Sequence, residues 1–431
     1  MAFIFGEISE LKDFAIIVIS CLTVFILWIS FRMAKGADLK PSIDGRPNEF
    51  TWTTLVISLW YFSGMVLDGW AHTHGVVDES FFTKWHALFY SGFIAFAGFT
   101  TWTLWRLYDG PFPTNLRSLT NFFKGMPKGY GSATVGMLIF GFAGLGDMIW
   151  HIVFGIEGGL DILLSPTHLM LAVGMAIGIL APFWSAWYHP HDDEHSFKGQ
   201  LAPIVSLSIS MSVLTFFTKY ANPFNLRLSE ICQGHGNALS NAATKCPTSI
   251  RDHGGITSVS YDSTGLQLGV VSMELQAIIL VGMILLFMKR WNPARGSLFV
   301  LFVLNGIAVS LLTPGESSKI VPLQLSFYVL LGIICELLVS KLNPKLGGIK
   351  LRVFSFLLPF IAMVLWWMSI IYENRNKFDT FIDGGIINPL GWSIHATFGA
   401  FFLAGCTGAF ISLLMEPPSV DNFKEHAPSQ E

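Results

Sequence analysis

Charged side chains are scarce in this sequence. Lys and Arg number 26 and Asp and Glu 29, together 13% of 431 residues. A soluble domain carries roughly 25%, so a water-borne fold is excluded at the outset. Nucleotide-binding signatures are missing too: neither GxxxxGK[ST] nor GxGxxG occurs, and nucleotide chemistry has no support. The net charge of −3 offers no basic surface, which removes nucleic acid as a partner. Cysteine is sparse. Cys21, Cys335 and Cys406 fall inside apolar runs, where a free thiol behaves as a small hydrophobe. Cys232 and Cys246 alone sit in a polar stretch, at a separation that permits a bridge without fixing its geometry.

What is present instead is apolar. Hydrophobic residues make up 52% of the chain and the mean hydropathy is +0.55, which predicts an all-α, polytopic integral membrane bundle. Runs long enough to cross about 30 Å of hydrocarbon lie near 14–31, 52–72, 85–107, 132–154, 164–188, 201–220, 266–288, 297–313, 320–340, 351–372 and 390–414. That is about eleven spans. The first follows Glu7, Glu10 and Asp13 and has neither a basic leader nor an A-x-A site, so it reads as a retained span and not a signal peptide. Two halves are expected: residues 1–200, with helix hairpins at 52–107 and 132–188, and residues 201–431, with a long polar loop at 222–265.

Basic residues set the expected orientation. One set of alternate loops, including Arg32, Lys35, Lys40 and Arg46, then Arg106 to Lys128, then Lys289 to Arg295, holds about twice the Lys and Arg of the other. The positive-inside rule then places the N-terminus outside the cell membrane and the C-terminus in the cytoplasm. Cys232 and Cys246 would face an oxidising space, where disulfides persist.

Against this background a pattern of acid and imidazole occurs twice. Asp68-x3-His72 leads through Glu79 to His86, and Asp147-x3-His151 leads through Asp161 to His168; Gly92 and Gly174 each follow the second His by six residues. Ionisable side chains are costly inside a bilayer, so such a set is a functional-site hypothesis by default. Residues i and i+4 share a helix face, so each Asp and its first His can converge, and a hairpin returns the second His from the next helix. One carboxylate with two imidazoles suits copper, zinc or non-haem iron, and not the oxygen-only preferences of magnesium or calcium. Glu79, Glu157 and Asp161 would be further ligands, partners that orient the imidazoles, or catalytic acids in proton transfer. On the expected topology these histidines and His395 lie toward the outer face, and Glu274 and Glu316 reach the same layer. A metal-free proton or cation relay and simple hydrogen-bonded glue between helices remain open readings of the same residues. The HPHDDEH run at 189–195 reads as a solvated cytoplasmic loop.

The stretch Asp68-GWA-His72, with FFTKWHALFYSGF around His86, resembles the metal-site helix hairpin in the C subunit of the particulate methane and ammonia monooxygenases. The likeness covers about 25 residues in each copy and includes Thr83-x2-His86 and Thr167-His168. It implies a copper-ligand role for Asp68, His72 and His86, and by repetition for Asp147, His151 and His168. Partner membrane subunits, or a homo-oligomer, are implied with it. This chain departs from the family in having more spans, two such motifs, and 14 and 17 residues between the paired histidines.

The expected function is therefore a membrane oxidoreductase, a copper-dependent (or non-haem iron) monooxygenase or a subunit of one, acting on a small or lipophilic substrate at an outward-facing pocket. A proton- or metal-coupled transporter is the alternative from another class. With zinc in place of a redox metal, a membrane hydrolase is the expectation.

Overall fold

The computed structural model describes residues 2–42, 46–73, 81–107, 114–155, 161–218, 263–311, 317–374 and 394–418. Among these residues the regular structure is helical throughout, with no strand. The helices are α1 (Ala2–Ala34), α2 (Glu49–Thr73), α3 (Lys84–Leu107), α4 (Leu116–Gly125), α5 (Tyr130–Phe154), α6 (Asp161–Leu164), α7 (Pro166–Ile179), α8 (Ala181–Tyr188), α9 (Phe197–Phe217), α10 (Ser263–Arg290), α11 (Ser297–Leu311), α12 (Ser317–Leu342), α13 (Gly348–Asn374) and α14 (Ile394–Met415).

Among the described residues ten helical segments are long and apolar enough to cross a membrane, and α11 is a shorter apolar helix. Its 15 residues span about 22 Å at 1.5 Å per residue. The run at 164–188 is two helices meeting at Leu180. Pro182, in the first turn of α8, is the cause: its ring clashes with the carbonyl four residues back, and it has no N–H to donate. The long loop at 222–265, with Cys232 and Cys246, lies outside the described residues up to Ser263, where α10 starts.

Contacts divide the chain into two compact units, residues 1–218 with 290–322, and residues 219–289 with 323–431. Helix α9 is the buried centre of the first. Its Ser206-Leu-Ser208-Ile-Ser210-Met-Ser212 run alternates as a strand would, yet on a helix the i,i+4 pairs separate onto two faces. Ser206 and Ser210 donate to Ile179 O and Ala176 O of the α7 segment, at 2.7 and 3.3 Å. Ser208 donates to Leu301 O of α11 at 3.0 Å, and the Asn305 amide donates to Ser212 and Thr215. Gln200, fully buried, caps the start of α11 by accepting from Ala294 N and Ser297 Oγ. Hydrogen bonds thus tie α9 to its neighbours on both sides.

Glycines bring the hairpin helices into backbone contact. A Cβ on Gly64 would lie 2.6 Å from Phe89 Cα, and one on Gly136 would lie 2.5 Å from Gly174 O. At the end where α1 stops and α2 begins, Arg32 pairs with Glu49 at 3.4 Å. At the same end Arg290 grips Glu194 through both guanidinium nitrogens and donates to Trp187 O.

The second unit is built on the α13–α14 pair. Gly408 abuts the Ser355 carbonyl, and the Arg352 guanidinium donates to Ser412 O and Glu416 O, where a cation complements the α14 C-terminus. Thr407 donates to the Glu274 carboxylate.

Candidate metal centre

Both histidine-bearing helices begin in the same way. Thr83 precedes α3 and its Oγ1 accepts from His86 N at 3.0 Å; Ser165 caps α7 and its Oγ accepts from His168 N at 3.4 Å. Each second histidine is thus the third residue of its helix, where the otherwise orphaned N–H is satisfied by the cap. The caps fix where α3 and α7 start, and so the height at which the imidazoles stand. Asp68 with His72, and Asp147 with His151, sit one turn apart near the C-terminal ends of α2 and α5. Each antiparallel hairpin therefore puts three donors at one end.

The structure brings those donors together twice. Asp68, His72 and His86 offer ligand atoms that all lie within 4.8 Å of one another, and so do Asp147, His151 and His168. In the first group Asp68 Oδ2 is 3.8 Å from His72 Nε2 and Oδ1 is 3.5 Å from His86 Nε2. In the second Asp147 Oδ2 is 3.5 Å from His151 Nε2 and Oδ1 is 3.2 Å from His168 Nε2. The carboxylate spreads its two oxygens over two imidazoles in the same manner in both. Asp147 is the more enclosed, at 2% side-chain exposure against 17% for Asp68.

Ring tautomers show what these distances mean. His86 Nδ1 lies 2.7 Å from Phe81 O and His151 Nδ1 lies 3.4 Å from Gly155 O. A carbonyl only accepts, so Nδ1 carries the proton, and in a neutral ring the lone pair is then on Nε2. That lone pair faces a carboxylate oxygen. Two acceptors at 3.5 Å are kept from repelling each other by a proton on the ring or by a cation between them. For four-coordinate bonds of 2.0–2.1 Å, donors stand about 3.3 Å apart, close to the spacing of both groups. A carbonyl holding the far nitrogen is also the usual support of a metal-ligating histidine. The residues present fit a transition-metal ion.

The surroundings repeat as well. A Cβ on Gly92 would meet Tyr61 Cα at 2.7 Å, and one on Gly174 would meet Phe140 N at 2.6 Å. Tyr61 and Phe140 each precede their Asp by seven residues, and their rings touch edge to face at 5.0 Å. The repeated acid and imidazole pattern thus rests on a repeated helix crossing, with equivalent residues meeting between the hairpins. Phe81 touches both donor groups, with its ring 5.0 Å from that of His86 and 6.1 Å from that of His151. Those imidazoles are therefore no farther apart than the two distances together, about 11 Å. Tyr90, one turn beyond His86, reaches across to α5, where a Cβ on Gly144 would stand 3.1 Å from its ring.

Sequence pattern alone matched Thr83 with Thr167. The structure gives the capping role to Thr83 and Ser165, while Thr167 donates to Asp147 Oδ1 at 2.8 Å and bonds Ser165 at 2.8 Å. Pro166 at the first helical position makes Ser165 the cap; S-P-x-H against T-x-x-H was the legible signal. Phe81 and Tyr90 had none, since their roles depend on how the hairpins pack.

No family model matches the chain. Nor does any curated protein or solved structure. The two donor groups therefore stand on their own geometry.

Other residues singled out by sequence fall elsewhere. Glu79, Glu157 and Glu316 lie outside the described residues; Asp161 opens α6, and its side chain is outside them too. Glu274 bonds Thr407, and His395 is exposed at the start of α14. In the HPHDDEH run His189 bonds Ser185 O at 2.9 Å and Glu194 holds Arg290, which gives that loop a structural task. The Arg290 hydrogen bonds hold the Glu194 carboxyl below its usual range.

Proposed function

We propose that this chain is an integral membrane metalloprotein that binds copper at Asp68, His72 and His86 and again at Asp147, His151 and His168, and works as an oxidoreductase. The reading is of a monooxygenase, or a subunit of one, taking a small or lipophilic substrate. The observation that carries it is the convergence of two identical donor sets, with the Nε2 lone pairs of His86 and His151 turned toward the aspartates. Membrane insertion is supported by ten long apolar helices and by large apolar side chains left outward, among them Val24, Phe142 and Ile152, more than a water-facing surface carries. The excess of Lys and Arg in one set of alternate loops supports an N-terminus on the outside. The likeness to the monooxygenase C subunit points the same way, and further membrane subunits would be the partners.

Copper, when bound, supplies one-electron redox chemistry. The chain does the rest. Asp68 and Asp147 provide the charge that draws a cation out of water. Phe81 O and Gly155 O hold His86 and His151 in the tautomer that presents Nε2, and the Thr167 hydroxyl steadies Asp147. Phe81, Phe89, Tyr90 and Phe140 exclude water from between the two sites. Iron would serve the same reading, whereas zinc would turn it toward hydrolysis.

Metal analysis of the detergent-purified protein by plasma mass spectrometry tests this reading. Two equivalents of copper per chain are expected, falling to none in the His72→Ala/His151→Ala double variant, which should still insert because insertion is set by hydrophobic length. A wild-type protein with no transition metal after copper loading would show the histidines to be protonated partners of the aspartates, and the proposal would fall.

A further inference from the structure

The two donor groups are neighbours in one unit, with the Phe81 ring in contact with an imidazole of each. Their charges therefore act on each other. Among the described residues each group supplies one carboxylate and two imidazoles. With neutral imidazoles, a singly charged ion leaves each centre neutral, and a doubly charged ion leaves each at +1. Phe81 lies against His86 and His151, and Tyr61, Phe89 and Phe140 stack between the hairpins. This filling keeps out water that would screen the charges. An empty centre carries the single negative charge of its aspartate, so filling it changes the charge felt by its neighbour by the full charge of the ion. The coupling therefore scales with the product of the two ionic charges. At about 10 Å and an effective dielectric constant of about 20 it weakens the second step on the order of tenfold for two singly charged ions, and costs about four times that free energy for two doubly charged ones.

We propose, resting on the metal-site reading above, that the two centres bind their ions as an electrostatically coupled pair, which accepts two singly charged ions and resists two doubly charged ones. The pair thus selects copper in its Cu(I) state for full occupancy. Divalent zinc would fill one centre at the concentrations where Cu(I) fills both. Phe81 sets the coupling because it fixes the separation of His86 from His151 without contributing charge.

The test is stepwise binding to the metal-free, full-length protein in detergent, with Cu(I) under anaerobic conditions and with Zn(II), each buffered by a competing chelator. His86→Ala and His168→Ala, each with one intact centre, give the affinity of each centre alone. Expected for Cu(I) is a second step on the order of tenfold weaker than that centre alone in the single-centre variant, where the neighbouring aspartate keeps its charge. Expected for Zn(II) is that the first step matches the tighter single-centre value and the second is weaker than the other centre alone by about the fourth power of the Cu(I) ratio, since the coupling free energy scales with the product of the ionic charges. Zn(II) filling both centres at their single-centre affinities would overturn the coupling, and an equal weakening with Cu(I) would show that its origin is not charge. Binding of neither metal would overturn the metal-site reading itself. Should a variant fail to fold, the ratio of the two steps in the wild type, larger for Zn(II) than for Cu(I), still decides.

Discussion

Substituting Gly92 by Ala is a one-carbon change, six residues along α3 from His86, and it should reach the metal. The added Cβ would stand 2.7 Å from Tyr61 Cα and 2.9 Å from Tyr61 N, where ordinary contact begins at 3.4 Å. Backbone atoms cannot rotate away, so α2 and α3 must part by about 0.7 Å at the crossing. Asp68 rides on α2 and His86 on α3, and their donor atoms are now 3.5 Å apart. A shift of that size exceeds the roughly 0.2 Å tolerance of metal–ligand bonds. Overpacking of this kind costs about 1–3 kcal/mol, and disturbed ligand orientation weakens metal affinity by about 10–100-fold. Gly98 on the same helix is the control, because its Cβ would meet nothing within 4 Å; Gly98→Ala should gain up to about 1 kcal/mol of helix propensity. Thermal unfolding followed by tryptophan fluorescence, with metal content measured on the same samples, gives both quantities. A Gly92→Ala protein as stable and as fully loaded as the wild type would refute the reasoning, as would equal damage from Gly98→Ala.

Ser165→Ala removes the cap of α7 and a partner of Thr167, so stability should drop by about 1 kcal/mol and the centre at Asp147 should lose affinity while the one at Asp68 keeps it; equal losses at both would contradict the assignment. Glu194 has its carboxyl pKa lowered from the ordinary 4.5 by Arg290. Its stabilising contribution is then complete above pH 4.5 and is lost as the pH falls through the lower folded-state value. The gap in melting temperature between wild type and Glu194→Gln should accordingly be widest near neutrality and shrink in acid, and a gap unchanged down to pH 3 would count against the pair. Asn305→Leu should destabilise the α9–α11 contact, since it leaves the buried Ser212 and Thr215 hydroxyls without their donor; unfolding at the wild-type temperature would show the bonds to be dispensable.

Helical class and the six donor residues were legible in the sequence because they rest on local rules. An apolar run of about 20 residues must close its own backbone hydrogen bonds as a helix, and Asp and His four apart must share a face. The doubling of Asp-x3-His and of the glycine six residues beyond the second His was visible for the same reason. What joined the parts was not local. The break at Leu180, the two-sided serine face of α9, and the exchange of roles between Ser165 and Thr167 follow from neighbours distant in sequence. The contact of Phe81 with both centres depends on two hairpins meeting at Tyr61 and Phe140, and no spacing in the chain encodes that meeting. The sequence by itself determined which residues could hold a cation; only the tertiary structure decided that there are two such groups within reach of each other, because packing alone sets the distance between them.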